Sequence, residues 1–188
     1  MKTDRHGKAA ALSDEQMDRL IHSAPSPRYA ALWSVQRFTA ARISESLSLR
    51  WSDINAAVTF RKSHTKTKTT RQLPIAPALR LAIDNYKKAW EMEHGHPPHS
   101  SEALFPSPGS THTPMTRQAA DKAMRATCLM VGIHGATTHS FRRSLAQNAV
   151  KRGVRLHIVQ RITGHKSLGS LGEYLCATDE EVLAAIVG

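Results

Sequence analysis

Apolar positions along this chain recur mostly at three- and four-residue intervals, the spacing that lines one face of a helix. The first clear start is at Ser13. A serine sits as N-cap, Gln16 follows three residues on, and Leu12 and Met17 are placed as a hydrophobic staple. That helix is expected to run to about Ile21, before Pro25 and Pro27 break the chain. A second begins near Arg28, with Ala31, Leu32, Val35 and Phe38 at helical spacing, and a third covers Ile43 to Leu49.

The pattern changes after Trp51. Ala57 to Lys62 and Thr70 to Ile75 are short β-branched or alternating stretches separated by the polar, basic SHTKTKT, which predicts a β-hairpin or the edge of a small sheet. Helical spacing returns from Pro77, through Leu79, Ile83, Tyr86 and Trp90. The Pro, Gly, Ser and His content of EHGHPPHSSEALFPSPGSTHTP marks a long loop. Helices are then expected from Thr116 to Gly132, from Thr138 to Gly153 and from Val154 to Ile162, the last ended by Gly164. Glu180 to Val187 adds a final amphipathic stretch. The predicted fold class is mainly α with a small antiparallel β-sheet inserted early. A flexible basic arm is expected over 1–11, one domain over 12–188, and a tail from about 175 within it.

Composition supports a single packed domain: 188 residues and 40% hydrophobic content are enough for a real core. No run of 18 or more apolar residues occurs and no secretion signal is recognisable, so a cytoplasmic protein is expected. Cys128 and Cys176 lie far apart without metal-type spacing and read as free thiols. Charge changes the picture most. Lys plus Arg is 26 against 15 Asp plus Glu, a net +11. A compact domain with that excess repels itself unless a polyanion offsets it, and nucleic acid is the natural one. His94, His96 and His99 flank two prolines in the long loop and read as a surface connector. No metal or other cofactor is assigned, and no membrane or small-molecule partner is expected.

Four clusters carry candidate chemistry. Arg42 and Glu45 are three apart at a helix start, an ordinary ion pair or an arginine held ready for phosphate. Lys66 and Lys68 lie at the hairpin tip, either solvated or reaching a groove as a proton donor. His139 and Arg142, in HSFRR, share a helix face. In ITGHKSLGSLGEYL, His165 follows Gly164 and Tyr174 comes nine residues after His165. That tyrosine is a core anchor or, with help losing its proton, a nucleophile.

In order and spacing these clusters resemble the tyrosine recombinase (phage integrase) family, over about residues 12–180. ARISESLSLRWSDI is similar to its first arginine box, THSFRRSLA to its second and ITGHKSLGSLGEY to its third. The resemblance implies the DNA breaking-rejoining catalytic fold and a site-specific recombinase, nucleoid-associated and of bacterial or phage origin. Arg42 and Arg142 would grip the scissile phosphate, His165 would hydrogen-bond it, and Glu45 would orient the cations. His139 would assist proton movement. Tyr174 would attack phosphorus to give a 3′-phosphotyrosine without metal or ATP. Lys66, at the family's spacing before Arg71 and Pro74, would be the general acid, with Lys68 in reserve. Arg61, Lys62, Lys68, Arg71 and Arg143 are expected to contact DNA. The expected partners are double-stranded DNA and three further protomers on paired sites, the chain being a monomer without DNA. The N-terminal core-binding domain of such proteins is expected to be absent. A type IB topoisomerase, or a DNA-binding module with weak or no catalysis, would share much of this pattern.

Overall fold

The computed structural model describes residues 9–65, 68–172 and 179–187. Helix α1 (Asp14–His22) begins as its sequence dictates. Ser13 Oγ accepts from the Gln16 N–H at 3.2 Å and Gln16 Oε1 accepts from the Ser13 N–H at 2.9 Å. These bonds satisfy two backbone donors that a bare helix start leaves open. Leu12 and Met17 are both buried, as a staple requires. Ala9 and Ala10 correct the expectation of a flexible arm over 1–11. Ala9 is buried with its carbonyl bonded to Arg143, and the Ala10 N–H donates to Gly135 O at 3.0 Å. Residues 1–8 of the expected arm lie outside the described residues.

Helix α2 (Pro27–Thr39) is the central element, with Leu32, Trp33 and Val35 fully buried. Pro27 opens it, since the first turn needs no N–H from that residue. It packs against α1, α4 (Pro77–His94) and α6 (Ser140–Lys151), and against α3 (Ile43–Leu47). It ends at Ala40, a non-glycine residue with φ 50°. That left-handed conformation costs a residue with a Cβ on the order of 1 kcal/mol or more.

Strands β1 (Ala57–Phe60) and β2 (Arg71–Pro74) form the antiparallel hairpin, with Val58 opposite Leu73 and Phe60 opposite Arg71. Val58, Phe60 and Leu73 turn into the core by the two-residue alternation of a pleat. Both strands are shorter than predicted, because Lys62–His64 curl into a single 3-10 turn. The long loop after α4 is more than a surface connector. Ala103, Leu104 and Phe105 are buried, the Leu104 N–H donates to Leu49 O at 2.8 Å, and Phe105 stacks on Tyr86. Helix α5 (Arg117–Met130) follows, capped by the Thr116 side chain, which accepts from the Ala119 N–H.

The last third is built differently. Helix α7 (Leu156–Thr163) and the short α8 (Leu168–Gly172), which the sequence pattern did not predict, pack on α6 through Ala146, Ala149, Val159 and Leu171. This small cluster is separate from the main core. Helix α9 (Asp179–Val187) covers most of the expected tail and exposes Val182, Leu183, Ile186 and Val187; positions 175–178 and 188 lie outside the described residues. Among the described residues no helix is long and apolar enough to cross a membrane.

Candidate active site

The C-termini of α2 and α7 meet beside the start of α3. A helix end leaves carbonyls without partners and carries the negative end of the helix dipole, so cations are favoured there. Two arginines fill the position. Arg142, from the first turn of α6, is fully buried. Its Nη1 donates to Ala40 O at 2.7 Å and to Thr163 O at 2.6 Å. Arg71, from β2, donates through Nη1 to the preceding carbonyl of each helix, Thr39 O and Ile162 O.

A single buried carboxylate organises the cations. Glu45 Oε1 accepts from Arg42 Nη1 at 2.8 Å, and Oε2 accepts from the Arg42 N–H at 3.0 Å and from Arg71 Nη2 at 3.3 Å. The Arg42–Glu45 pair expected from the sequence is therefore formed, and Glu45 also serves a second arginine. Among the described residues, three arginines against one carboxylate leave the locality positive.

His165 sits on top of Arg142. Arg142 Nη2 lies 3.0 Å from His165 Nε2, and His165 Nδ1 lies 2.8 Å from Thr163 Oγ1. An arginine has no acceptor, so Nε2 must accept. Thr163 Oγ1 donates to Val159 O at 2.8 Å, which leaves it free to accept from a protonated Nδ1. The ring is thus neutral with its proton on Nδ1. Burial, then the charges of Arg142, Arg42, His139 and Arg71, push its pKa down to about 4. Gly164 precedes it with φ 67°, closing α7 as a left-handed cap.

These groups border an open cleft of about 570 Å³, lined on one side by Glu45, Thr163 and His165 and on the other by Thr69, Thr70 and Arg71. Helix α7 adds His157 and Arg161, with Lys166 just beyond it. All three are exposed and were missed from the sequence. The signal was present: His157 and Arg161 are four apart on the helix that ends at the Gly164–His165 pair.

The other expected site residues fall in several places. His139 is exposed at the N-cap of α6, after Thr138, whose carbonyl is held by Gln36 Nε2 at 2.8 Å. Lys62 and Lys68 are exposed on the hairpin, Lys68 with φ 53°. Arg61 is half-exposed and bonds Asp53 at 2.7 Å. Arg71 and Arg143, both expected to contact DNA, make bonds within the chain instead of standing exposed. Arg71 is turned inward by the two helix ends and Glu45, and Arg143 is partly buried against Ala9 O at 3.0 Å. Lys66 and Tyr174 lie outside the described residues.

Comparison with known proteins matches the phage integrase family model over residues 10–181. A putative integrase/recombinase of Sinorhizobium fredii, y4eF, is 25% identical over 175 residues, covering 92% of this chain and 66% of its own length. The tyrosine recombinase XerD of Oceanobacillus iheyensis is 26% identical over 172 residues, covering 89% of this chain and 57% of its own. The chain thus spans about half to two thirds of the length of these curated relatives. Among solved structures, the XerH site-specific recombinase bound to palindromic difH substrate, a post-cleavage complex, superposes with a TM-score of 0.76 at 21% identity. That match covers 99% of this chain and 55% of XerH, and it establishes a common fold.

Proposed function

The chain belongs to the phage integrase family, and from that premise we propose that it cuts and rejoins DNA as the catalytic part of a site-specific recombinase. The observation that carries the reading is the convergence of Arg42, Arg142 and His165 around the buried Glu45 beside an open cationic cleft. In-line displacement at a phosphodiester builds charge on the non-bridging oxygens, and fixed donors lower that barrier. Here the donors are held by helix-terminal carbonyls and Glu45, so little reorganisation is needed when the phosphate arrives.

The reaction then runs on this chain's own groups. Phosphate oxygens take the fork of Arg42 and replace His165 Nε2 as acceptor for Arg142. Losing that partner, His165 turns Nε2 into a donor toward the phosphate, by tautomer change or by taking up a proton. Tyr174 Oη attacks phosphorus as its proton passes to His139, forming the 3′-phosphotyrosine while the bond to the 5′-oxygen breaks. The leaving oxygen takes its proton from the hairpin lysine, Lys66 or in its absence Lys68. His139 assists proton movement at the mouth. The phosphotyrosine keeps the bond energy, so rejoining needs no ATP, and the arginines supply the charge that a metal would otherwise bring.

Double-stranded DNA is the partner that the charge of +11 and the cleft rim call for. Four protomers on two duplexes would complete the exchange, and the exposed apolar side chains of α9 favour a contact between them. The test is to incubate the chain with nicked duplexes of randomised sequence, in chelator and without ATP, and to recover covalent protein–DNA adducts. Adducts enriched in one sequence are expected. No adduct in any pool would remove the recombinase reading, and sequence-indifferent relaxation of supercoils would favour a topoisomerase.

A further inference from the structure

Arg71 is the first residue of β2 and stands opposite Phe60 in the hairpin register. Its guanidinium lies over the Phe60 ring, 4.5 Å from the centroid. From there it reaches out of the hairpin altogether, to Thr39 O at the end of α2, Ile162 O at the end of α7 and Glu45 Oε2. Arg142 bonds the next carbonyl along each of the same two helices, Ala40 O and Thr163 O. The two arginines therefore lie as parallel rungs between α2 and α7, one contributed by the hairpin and one by α6.

Only a planar fork meets three acceptors from three elements at once, which a lysine's single ammonium does less well. The approach is also tight. A Cβ on Gly164 would come within 3.3 Å of Arg71 Cδ, so this glycine makes room for the side chain as well as for its own positive φ. Burial lowers the guanidinium's pKa to about 10 while Glu45 opposes the shift, and Arg71 stays charged at neutral pH.

We propose that Arg71 is a positioning residue that fastens the hairpin to the phosphate-binding floor and so fixes where the hairpin lysine can deliver its proton. The proposal rests on the reading of Lys66 or Lys68 as general acid. A two-stranded hairpin is marginal on its own. The described residues beside its tip, Lys62, Thr65, Thr69 and Thr70, bond one another, contacts local to the hairpin and not to the floor. Arg71 does tie it there, and both lysines precede it by only a few residues on the same strand of chain. A loosened hairpin leaves the arginine clamp in place and removes the proton donor from range.

The leaving group separates these effects. Cleavage breaks the bond from phosphorus to the 5′-oxygen, and that alkoxide needs a proton. A 5′-sulfur leaves as a thiolate, whose conjugate acid has a pKa near ~8.5, and needs none. The full chain is tested on a nicked duplex carrying the sequence recovered in the adduct screen, made with oxygen or sulfur at the scissile position. Arg71→Lys is expected to slow adduct formation about 100-fold with oxygen and less than about fivefold with sulfur, the scale of a misplaced catalytic group. Gly164→Ala, which pushes on the same side chain, is expected to show a weaker version of that selective rescue and serves if Arg71→Lys melts too low to assay. Lys66→Ala and Lys68→Ala identify the acid by the same rescue.

Equal slowing on both substrates in Arg71→Lys, or no slowing at all, would overturn the proposal. If a lysine variant is rescued by sulfur and Arg71→Lys is not, the general-acid reading survives and the positioning role falls. If neither lysine variant is rescued, the general-acid reading fails and takes the positioning role with it.

Discussion

Arg142 and Arg161 serve the same cleft, one beneath its floor and one on its rim. Arg142 is fully buried, with a fork committed to Ala40 O, Thr163 O and His165, whereas Arg161 stands exposed on α7 beside His157. The buried cation is held before any substrate arrives, and its interactions are little screened by salt. The exposed one is free to follow a DNA backbone, but its contribution fades as ions compete. Under the proposed function, burial divides one residue type between two jobs: fixed charge for the reacting phosphate below, adjustable charge for duplex binding above.

The sharpest way to break that division is Arg142→Ala. It strips the partner from two buried carbonyls, each costing about 1–3 kcal/mol when left unmade. A loss of about 3–5 kcal/mol in chemical denaturation is expected, together with a fall of about 100-fold or more in adduct formation. Arg161→Ala, by contrast, is expected to leave stability within about 0.5 kcal/mol of the parent. Equal destabilisation by the two would erase the distinction between floor and rim.

Acid tests the floor next. The His165 pKa is pushed from 6.5 to about 4 in the folded chain. A base with a lowered folded pKa contributes stability that is present above its unfolded pKa and lost as pH falls toward the folded one. Stability should therefore drop between pH 6.5 and about 4, by up to about 3 kcal/mol from this residue. In His165→Gln the drop over that window should be smaller by a comparable amount. An identical pH profile for the two proteins would mean that His165 is not held neutral over Arg142.

These expectations were only partly legible in the sequence. The Ser13–Gln16 box and the buried row Leu79, Ile83, Tyr86 and Trp90 were plain, because each lies within a few turns of one helix. The Arg42–Glu45 pair was plain for the same reason. Ala103 to Phe105 were not. Three apolar residues inside a Pro- and Ser-rich stretch carry no period, and only their docking against Leu49 and Tyr86 makes them core. From the sequence Arg71 is expected only as a DNA contact, one cation among several in a basic hairpin. Its inward course depends on a register that sets it opposite Phe60 and on two helix ends drawn from distant parts of the chain. Local pattern identifies which cations occur; long-range packing decides which of them are buried.

Two smaller effects sharpen the comparison further. Gly164→Ala should cost about 1–2 kcal/mol, from the positive φ and the close approach to Arg71, read as a lower denaturation midpoint at unchanged slope. At the rim, Arg161→Ala and Lys62→Ala should each lower the steepness of log affinity against log salt by about 1, with no change in melting. A salt slope that stays at the parent value would remove those side chains from the duplex path.

The claim on which all of this converges is that the cationic floor activates one phosphodiester toward Tyr174. Trapping the adduct on a nicked duplex, digesting it and sequencing the modified peptide tests that claim most directly. The DNA is expected on Tyr174, with Tyr174→Phe giving no adduct while still binding the duplex; an adduct that persists in Tyr174→Phe, or one attached to Tyr29 or Tyr86, would contradict it.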